Sequence, residues 1–255
     1  MVWGPLVVER VRYELLVNSR RGAPATEMMA LRDALLIALM EMTGCRPGEA
    51  LALRWSDVEP DVRIGKALSG KQIRDTTKTG NDRRVPLLAP LRADLDLVRE
   101  RRGGDADDYV FMTAHGSRWV ETDWRNFRSR HFVPALKRVE AGWADWRRSL
   151  PRPDEARESV HDLAATRPYD LGRHTHSALM LAAGMSLQRL ARIQGHSIRV
   201  LDETYSEELV EFQGRTERID ATQEIERARA LVWDGSAPAV QRHRLSQRQT
   251  SSSTV

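Results

Sequence analysis

Three side chains in the last third of the chain have the types and spacing needed for chemistry on a phosphate group. A Gly-His-Ser turn carries His196, and Tyr205 follows that histidine by nine positions. Upstream, Arg173 opens an apolar, helix-like run that ends at Gly184. Arginine binds phosphate oxygens through charge-assisted hydrogen bonds, and a phenol becomes a nucleophile when a base or a positive field assists it. Together they indicate phosphate chemistry with a tyrosine nucleophile.

A further arginine lies at the junction of two predicted helices. The first helix begins at Thr26 and stops near Gly44, and its broad apolar surface predicts burial on most sides. Pro47 at a first helical position, with Glu49 close behind it, starts the next helix. Arg46 therefore lies in a tight turn, where an arginine in an apolar setting is costly unless an anion meets it.

The segment that follows changes to short strands. We predict three of them, at residues 62–64, 72–74 and 84–87. Turn-forming residues separate the strands at Ser69-Gly70 and at 79–82, which favours an antiparallel meander. Lys78 lies where the second strand enters its turn, at a tip that can reach outward.

Helical spacing accounts for most of the remaining chain. Predicted helices cover residues 5–17, 91–101, 122–139, 174–183, 187–194 and about 214–232. Residues 140–168 combine tryptophans with a polar stretch and are interpreted as an insertion, and the polar residues 236–255 are interpreted as a disordered tail. The predicted fold class is mainly α with a small three-stranded antiparallel β-sheet, in one domain over residues 1–235.

The composition is that of a globular protein, but its cations are mostly of one kind. Of the 40 basic residues four are lysine, at positions 66, 71, 78 and 137, which leaves 36 arginines. Arginine binds phosphate bidentately and stacks on bases, which favours a nucleic-acid partner, although codon bias in a GC-rich genome explains most of the excess. The single cysteine, Cys45, excludes an internal disulfide and a cysteine-based zinc site.

Membrane and metal signals are weak. No apolar run is long enough to span a bilayer, and the first residues lack a signal-peptide core, so we expect a cytoplasmic protein without a membrane partner. His174 and His176 lie two apart on a predicted helix and face different sides, without a carboxylate cluster nearby. We therefore predict no metal site.

Four segments occur together and in order: TGCRPGEALALRWSDV at 43–58, TKTGNDRRVPL at 77–87, RHTHSALMLAAG at 173–184, and QGHS followed by Tyr205. This combination resembles the catalytic domain of the tyrosine recombinases, the phage integrase family, over residues 4–230. The resemblance implies a mostly helical domain with a small antiparallel sheet. It also implies an enzyme of a mobile element that exchanges strands between specific double-stranded DNA sites without cofactors, as a nucleoid-associated homo-oligomer that forms a tetrameric synapse.

The resemblance assigns a five-residue catalytic set: Arg46, Lys78, Arg173, His196 and the nucleophile Tyr205, with Glu49 as the acidic partner of the first arginine. The two arginines would hold the non-bridging oxygens, whose negative charge grows in the transition state. The lysine would protonate the leaving 5′-oxygen, and the histidine would hydrogen-bond the phosphate or orient the nucleophile. A covalent 3′-phosphotyrosine would conserve the energy of the bond that is broken.

The chain departs from the family pattern just before the second arginine. The family usually has a histidine three residues before it, where this chain has Asp170. Relatives commonly have Tyr-Asp-Leu-Arg, so Gly172 is interpreted as a one-residue insertion and Tyr169 as the displaced equivalent, an uncertain active-site position. A glycine just before Arg173 can misplace its guanidinium, which would reduce activity.

Two other interpretations remain open. The chain starts almost at the catalytic domain, so we expect the N-terminal core-binding domain that closes the family's clamp around DNA to be absent. That truncation favours a catalytically impaired remnant that acts as a DNA-binding protein. A type IB topoisomerase shares the chemistry, but the short Gly-His-Ser turn and the Thr-Lys-Thr hairpin favour the recombinase.

Overall fold

A computed structural model gives the fold of residues 2–17, 24–74, 82–199, 201–203 and 218–233. The helices are α1 (Pro5–Val17), α2 (Pro24–Thr43), α3 (Pro47–Ala50), α4 (Ala89–Arg102), α5 (Glu121–Phe127), α6 (Val133–Ser149), α7 (Thr175–Ala182), α8 (Leu187–Gln194) and α9 (Ala221–Trp233). The short strands are β1 (Val62–Ile64), β2 (Ala67–Ser69), β3 (Gln72–Arg74) and β4 (Arg83–Val85). Among these helices, none combines the length and the apolar composition that a bilayer crossing requires.

Helix α2 is the centre of the core. Its apolar residues point in every direction, and Leu35, Leu36, Ile37 and Met40 are each no more than 1% exposed. A helix that is apolar all round must be covered on all sides, and α1, α4 and the segment that opens α7 pack around it. The predicted buried helix ahead of Arg46 is confirmed, and the fold class is mainly α as predicted.

The strands pair differently from the prediction. β1 pairs with β4 and β2 with β3, both antiparallel, so the described residues form two two-stranded sheets rather than one three-stranded meander. The turn at Gly70 explains the difference, because its φ of +62° permits a tight reversal that joins β3 directly to the unpredicted strand β2. Lys78 lies in the segment 75–81, outside the described residues.

The helix predicted at 122–139 is longer and is interrupted. A π-helical turn over Arg128–Phe132 separates α5 from α6, which continues to Ser149. In the following region Ala156 and Leu163 are fully buried, and the Trp143 indole N–H donates to the Glu158 carbonyl at 3.1 Å. Residues 140–168 are therefore in part a packed extension of α6. The predicted tail, 236–255, lies outside the described residues.

One buried arginine fastens α9 to α1 and α4. The Arg229 guanidinium donates to Glu9 Oε1 at 2.9 Å and to both carboxylate oxygens of Asp94, at 3.3 and 2.6 Å. Trp233, one turn further along α9, donates to Glu9 Oε2 at 3.1 Å. Burial alone would lower the pKa of Arg229, but the two carboxylates outweigh it and raise that pKa above its ordinary value. Charge pairs therefore join three helices that are far apart in sequence.

Candidate active site

The helix type changes just before Arg173. Residues Asp170–His174 form a π-helical turn immediately before α7, which holds one residue more than an α-helical turn. Gly172 lies in this turn against α2, where an added Cβ would meet the Met40 Cβ at 2.5 Å and the Met40 carbonyl carbon at 3.2 Å. The insertion therefore has to be a glycine, because any side chain would push the turn off α2.

The guanidinium of Arg173 is held by two backbone carbonyls. Its side chain is buried, and it donates from Nη1 to the Gly44 carbonyl at 2.5 Å and from Nη2 to the Gln194 carbonyl at 2.6 Å. Burial lowers the pKa of Arg173 to about 10; the phenol of Tyr169 opposes the shift and the nearby charge of Arg46 adds to it. Its Nε is buried and has no hydrogen-bond partner among the described residues.

Arg46 lies at the entrance to the same site. Helix α2 ends at Gly44, whose φ of +63° turns the chain into α3, and an added Cβ there would lie 2.6 Å from the His176 ring. The backbone N–H of Arg46 donates to Glu49 Oε2 at 2.8 Å, and its Nη1 lies 3.3 Å from Glu49 Oε1. With 22% of its side chain exposed, Arg46 is reachable from solvent.

The sequence analysis missed Arg83, which is buried next to Arg46. Its Nη1 and Nη2 donate to the two oxygens of Glu49 at 3.1 and 2.6 Å, and its Nε donates to the Ile193 carbonyl at 2.5 Å. Burial raises the pKa of Glu49, but the hydrogen bonds and charge of Arg83 outweigh it and leave that pKa below its ordinary value. Period-two burial along β4 turns Arg83 inward, and the short motif RRVPL carries that signal.

His196 follows the end of α8. Gly195 ends the helix in the left-handed conformation, with φ of +62°, and the His196 backbone N–H donates to the Ala191 carbonyl at 3.0 Å. The imidazole is half-buried, and its Nδ1 is without a hydrogen-bond partner in the described part of the chain. Burial, together with the charges of Arg173 and Arg46, lowers the pKa of His196 to about 4. The ring is therefore neutral at pH 7 and can both donate and accept a hydrogen bond.

Tyr169 lies beside the arginine, as its displaced position implied. Its ring centroid is 5.7 Å from Arg173 Cζ, and it meets the His174 ring edge-on at 5.5 Å. Asp170, at the position of the family's usual histidine, is instead paired bidentately with Arg167 at 2.7 and 2.9 Å. The aromatic ring rather than the carboxylate therefore borders the candidate site.

The fold brings three of the five predicted catalytic residues into one electrostatic neighbourhood. The charge of Arg46 helps to lower the pKa of both Arg173 and His196, and the charge of Arg173 helps to lower that of His196. Lys78 and Tyr205 lie outside the described residues, in the segments 75–81 and 204–217. Within the described ranges no group of three or more His, Cys, Asp or Glu side chains is arranged to hold a metal ion. The described residues therefore place two arginines near a neutral histidine, a combination suited to a phosphate.

Comparison with known proteins gives consistent matches. The model of the phage integrase family matches residues 14–138. A probable integrase/recombinase protein of Methanocaldococcus jannaschii is 36% identical over 113 residues, 42% of this chain and 30% of that protein. The structure of the Tn1549 transposon integrase in complex with transposon right end DNA has a TM-score of 0.52 at 16% identity, over 84% of this chain and 63% of that one. XerA recombinase has a TM-score of 0.48 at 16% identity, over 81% and 62%.

The fold is therefore that of a tyrosine recombinase catalytic domain. The phage integrase family model covers residues 14–138, just under half of the chain. The chain spans about 30% of the length of the M. jannaschii relative and 63% of the Tn1549 integrase chain.

Proposed function

We propose that this chain cuts and rejoins DNA at specific sites through a covalent 3′-phosphotyrosine, as a recombinase of a mobile element. The observation that carries the proposal is the clustering of the buried guanidinium of Arg173 and the partly exposed guanidinium of Arg46 near a neutral His196. A phosphodiester needs this combination, because two cations hold its non-bridging oxygens and a neutral ring makes a directional hydrogen bond. The related Tn1549 integrase is described in complex with transposon DNA.

In the proposed reaction the phenol of Tyr205 gives up its proton to solvent, and its Oη attacks the phosphorus and forms a new P–O bond. The bond from phosphorus to the 5′-oxygen breaks, and that oxygen takes a proton from Lys78 as it leaves. Arg46 and Arg173 stabilise the additional negative charge on the non-bridging oxygens, and His196 orients one of them. Rejoining is the reverse attack by a 5′-hydroxyl, so the phosphate ester linkage is conserved and no nucleotide cofactor is consumed.

The two arginines differ in burial, and we assign them different roles on that basis. Arg173 is the more buried of the two, and two backbone carbonyls fix the plane of its guanidinium before any phosphate binds. Arg46 is partly exposed, and among the described residues its side chain makes one long contact, with Glu49. It can therefore move toward the phosphate at little cost in free energy. A fixed Arg173 and an adjustable Arg46 suit a transition state whose negative charge is stabilised without reorganising the buried residue.

The proposal extends to the arrangement of the whole protein. Residues 1–235 would form the catalytic domain, double-stranded DNA would be its partner, and homo-oligomers on DNA would build a tetrameric synapse in the cytoplasm, at the nucleoid. The partly helical region 140–168 packs on the core through Trp143. We expect that region to contribute to stability rather than to catalysis.

The test uses DNA that the protein itself selects. Duplexes tiled across the sequence that flanks the coding region are screened by gel shift, and a shifted duplex is remade with a nick that traps the covalent intermediate. We expect a denaturation-resistant adduct with the wild-type chain and none with Tyr205→Phe. Tyr109→Phe, at another of the four tyrosines, serves as the matched control and should leave the adduct. A normal gel shift without any wild-type adduct would instead support the impaired, DNA-binding remnant.

A further inference from the structure

We infer that Arg83 is a positioning residue that keeps Arg46 free for its phosphate and holds the turn of His196 in place. The inference rests on the proposed function, since it concerns how Arg46 and His196 are kept in position for a phosphodiester. Arg83 belongs to β4, and its buried side chain joins that strand to α3 and to the end of α8. Arg46 immediately precedes α3, and His196 follows the end of α8.

Arg83 and Arg46 compete for one carboxylate, that of Glu49. Glu49 is buried, and both of its oxygens accept hydrogen bonds from Arg83, at 3.1 and 2.6 Å. The Arg46 guanidinium reaches the same carboxylate only through the longer contact of 3.3 Å. If Arg83 lost its charge, Glu49 would be a buried carboxylate with Arg46 as its nearest cation, and burying an unpaired charge is strongly unfavourable. Arg46 would then be drawn into the pair and away from the phosphate.

Arg83 also holds the C-terminal end of α8. The last carbonyls of a helix have no partner within the helix, and a cation there is favourable. Arg83 donates to the Ile193 carbonyl at 2.5 Å, and Arg173 donates to the next carbonyl, that of Gln194, at 2.6 Å. Two guanidiniums therefore hold consecutive carbonyls, and His196 follows two residues later. Loosening one of them would move the turn that aims the imidazole.

The experiment measures single-turnover cleavage of the nicked duplex and, separately, binding of the intact duplex, at a temperature well below the melting midpoint of every variant. We expect Arg83→Gln to slow cleavage by about 100-fold, a loss typical of misplaced catalytic groups, while duplex binding changes by less than about threefold. Adding Glu49→Gln should restore at least about tenfold of that rate, because a neutral side chain no longer captures Arg46 yet still accepts its backbone N–H. A role in folding alone would not move the rate of a fully folded protein in this way.

Four outcomes would overturn the inference or its premise. Wild-type cleavage by folded Arg83→Gln, or a double variant no faster than the single one, would sink the role of Arg83 while leaving the proposed function intact. Absence of any wild-type adduct would remove the proposed function and this inference together. If Arg83→Gln does not fold, Arg83→Lys decides, because lysine can neutralise Glu49 but cannot hold both carboxylate oxygens and the Ile193 carbonyl. Cleavage slowed at least about fivefold with unchanged binding is then expected, and an unchanged rate would refute the inference.

Discussion

Arg173 Nη1 lies 2.5 Å from the carbonyl oxygen of Gly44, a hydrogen bond between residues 129 positions apart. The same guanidinium bonds the carbonyl of Gln194, so one side chain closes the C-terminal ends of both α2 and α8. Terminal carbonyls lack partners within their helices and attract cations. The residue proposed to bind phosphate is therefore also a structural link between the two turns that carry Arg46 and His196.

Arg173→Lys tests whether phosphate binding and the link between the two turns need the guanidinium itself rather than a positive charge. Lysine keeps the positive charge but cannot reach two carbonyls and a phosphate with a planar fork, so we expect single-turnover cleavage to fall by about 100- to 1,000-fold. Leaving a buried carbonyl without its donor should lower the free energy of unfolding by about 1–3 kcal/mol. Arg192→Lys, an exposed residue of α8, is the control and should alter neither quantity. Equal rates for the two variants would contradict the assignment.

Gly172→Ala tests the glycine requirement of the π-helical turn. The added methyl would lie 2.5 Å from Met40 Cβ, and such overpacking should lower the free energy of unfolding by about 1–3 kcal/mol. Urea denaturation measures this directly. In α6, Gly142 has nothing within 4 Å of an added Cβ, so Gly142→Ala should be neutral or stabilise by up to about 1 kcal/mol. Similar effects at both positions would show that the close approach to α2 is unimportant.

Stability should fall as the pH falls through the range of a buried histidine. His176 is fully buried, its Nδ1 lies 2.9 Å from the Glu41 carbonyl, and burial lowers the pKa of His176 to about 4. An unfolded imidazole has a pKa of about 6.5, so the unfolded chain binds the proton first and stability is lost from about pH 6.5 down to pH 4, by about 3 kcal/mol in total.

His176→Gln should flatten that part of the pH dependence, measured as the free energy of unfolding in urea at several pH values. The buried carbonyl of Glu41 can still receive an amide N–H, whereas the titrating group is gone. His115→Gln, at an exposed position, is the matched control and should leave the slope as it is in the wild type. An unchanged slope in His176→Gln would assign the acid sensitivity to other groups.

Arg229→Leu should release α9 from the rest of the domain. The substitution removes one of the two arginines that bond both Glu9 and Asp94 and leaves Arg12 as the other, so we expect the loss of its hydrogen bonds to cost about 1–3 kcal/mol. Arg227→Leu, on the exposed side of the same helix, should cost no more than about 1 kcal/mol. Thermal or urea unfolding compares the two. If both variants unfold alike, the buried charges do not anchor the helix.

The local parts of the fold were predictable, and the long-range parts were not. Caps and apolar spacing predicted α2 and α4 to within about two residues, because those signals lie inside each helix. Strand pairing failed because β1 finds its partner across an intervening hairpin, which three-residue strands do not encode. Arg83 escaped notice for the same reason, since its partners Glu49 and Ile193 are 34 and 110 positions away. For Lys78 and Tyr205 the sequence-based assignments stay predictions.

The π-helical turn at Asp170–His174 also bears on how such chains are compared. One residue inserted into a regular α-helix would rotate every later side chain by about 100° about the helix axis. The wider turn would take up that rotation at once, and His176 faces α2, with its Nδ1 2.9 Å from the Glu41 carbonyl. If Gly172 is an inserted residue, a position-by-position search that forbids gaps inside helices would align it with the arginine and miss the relationship.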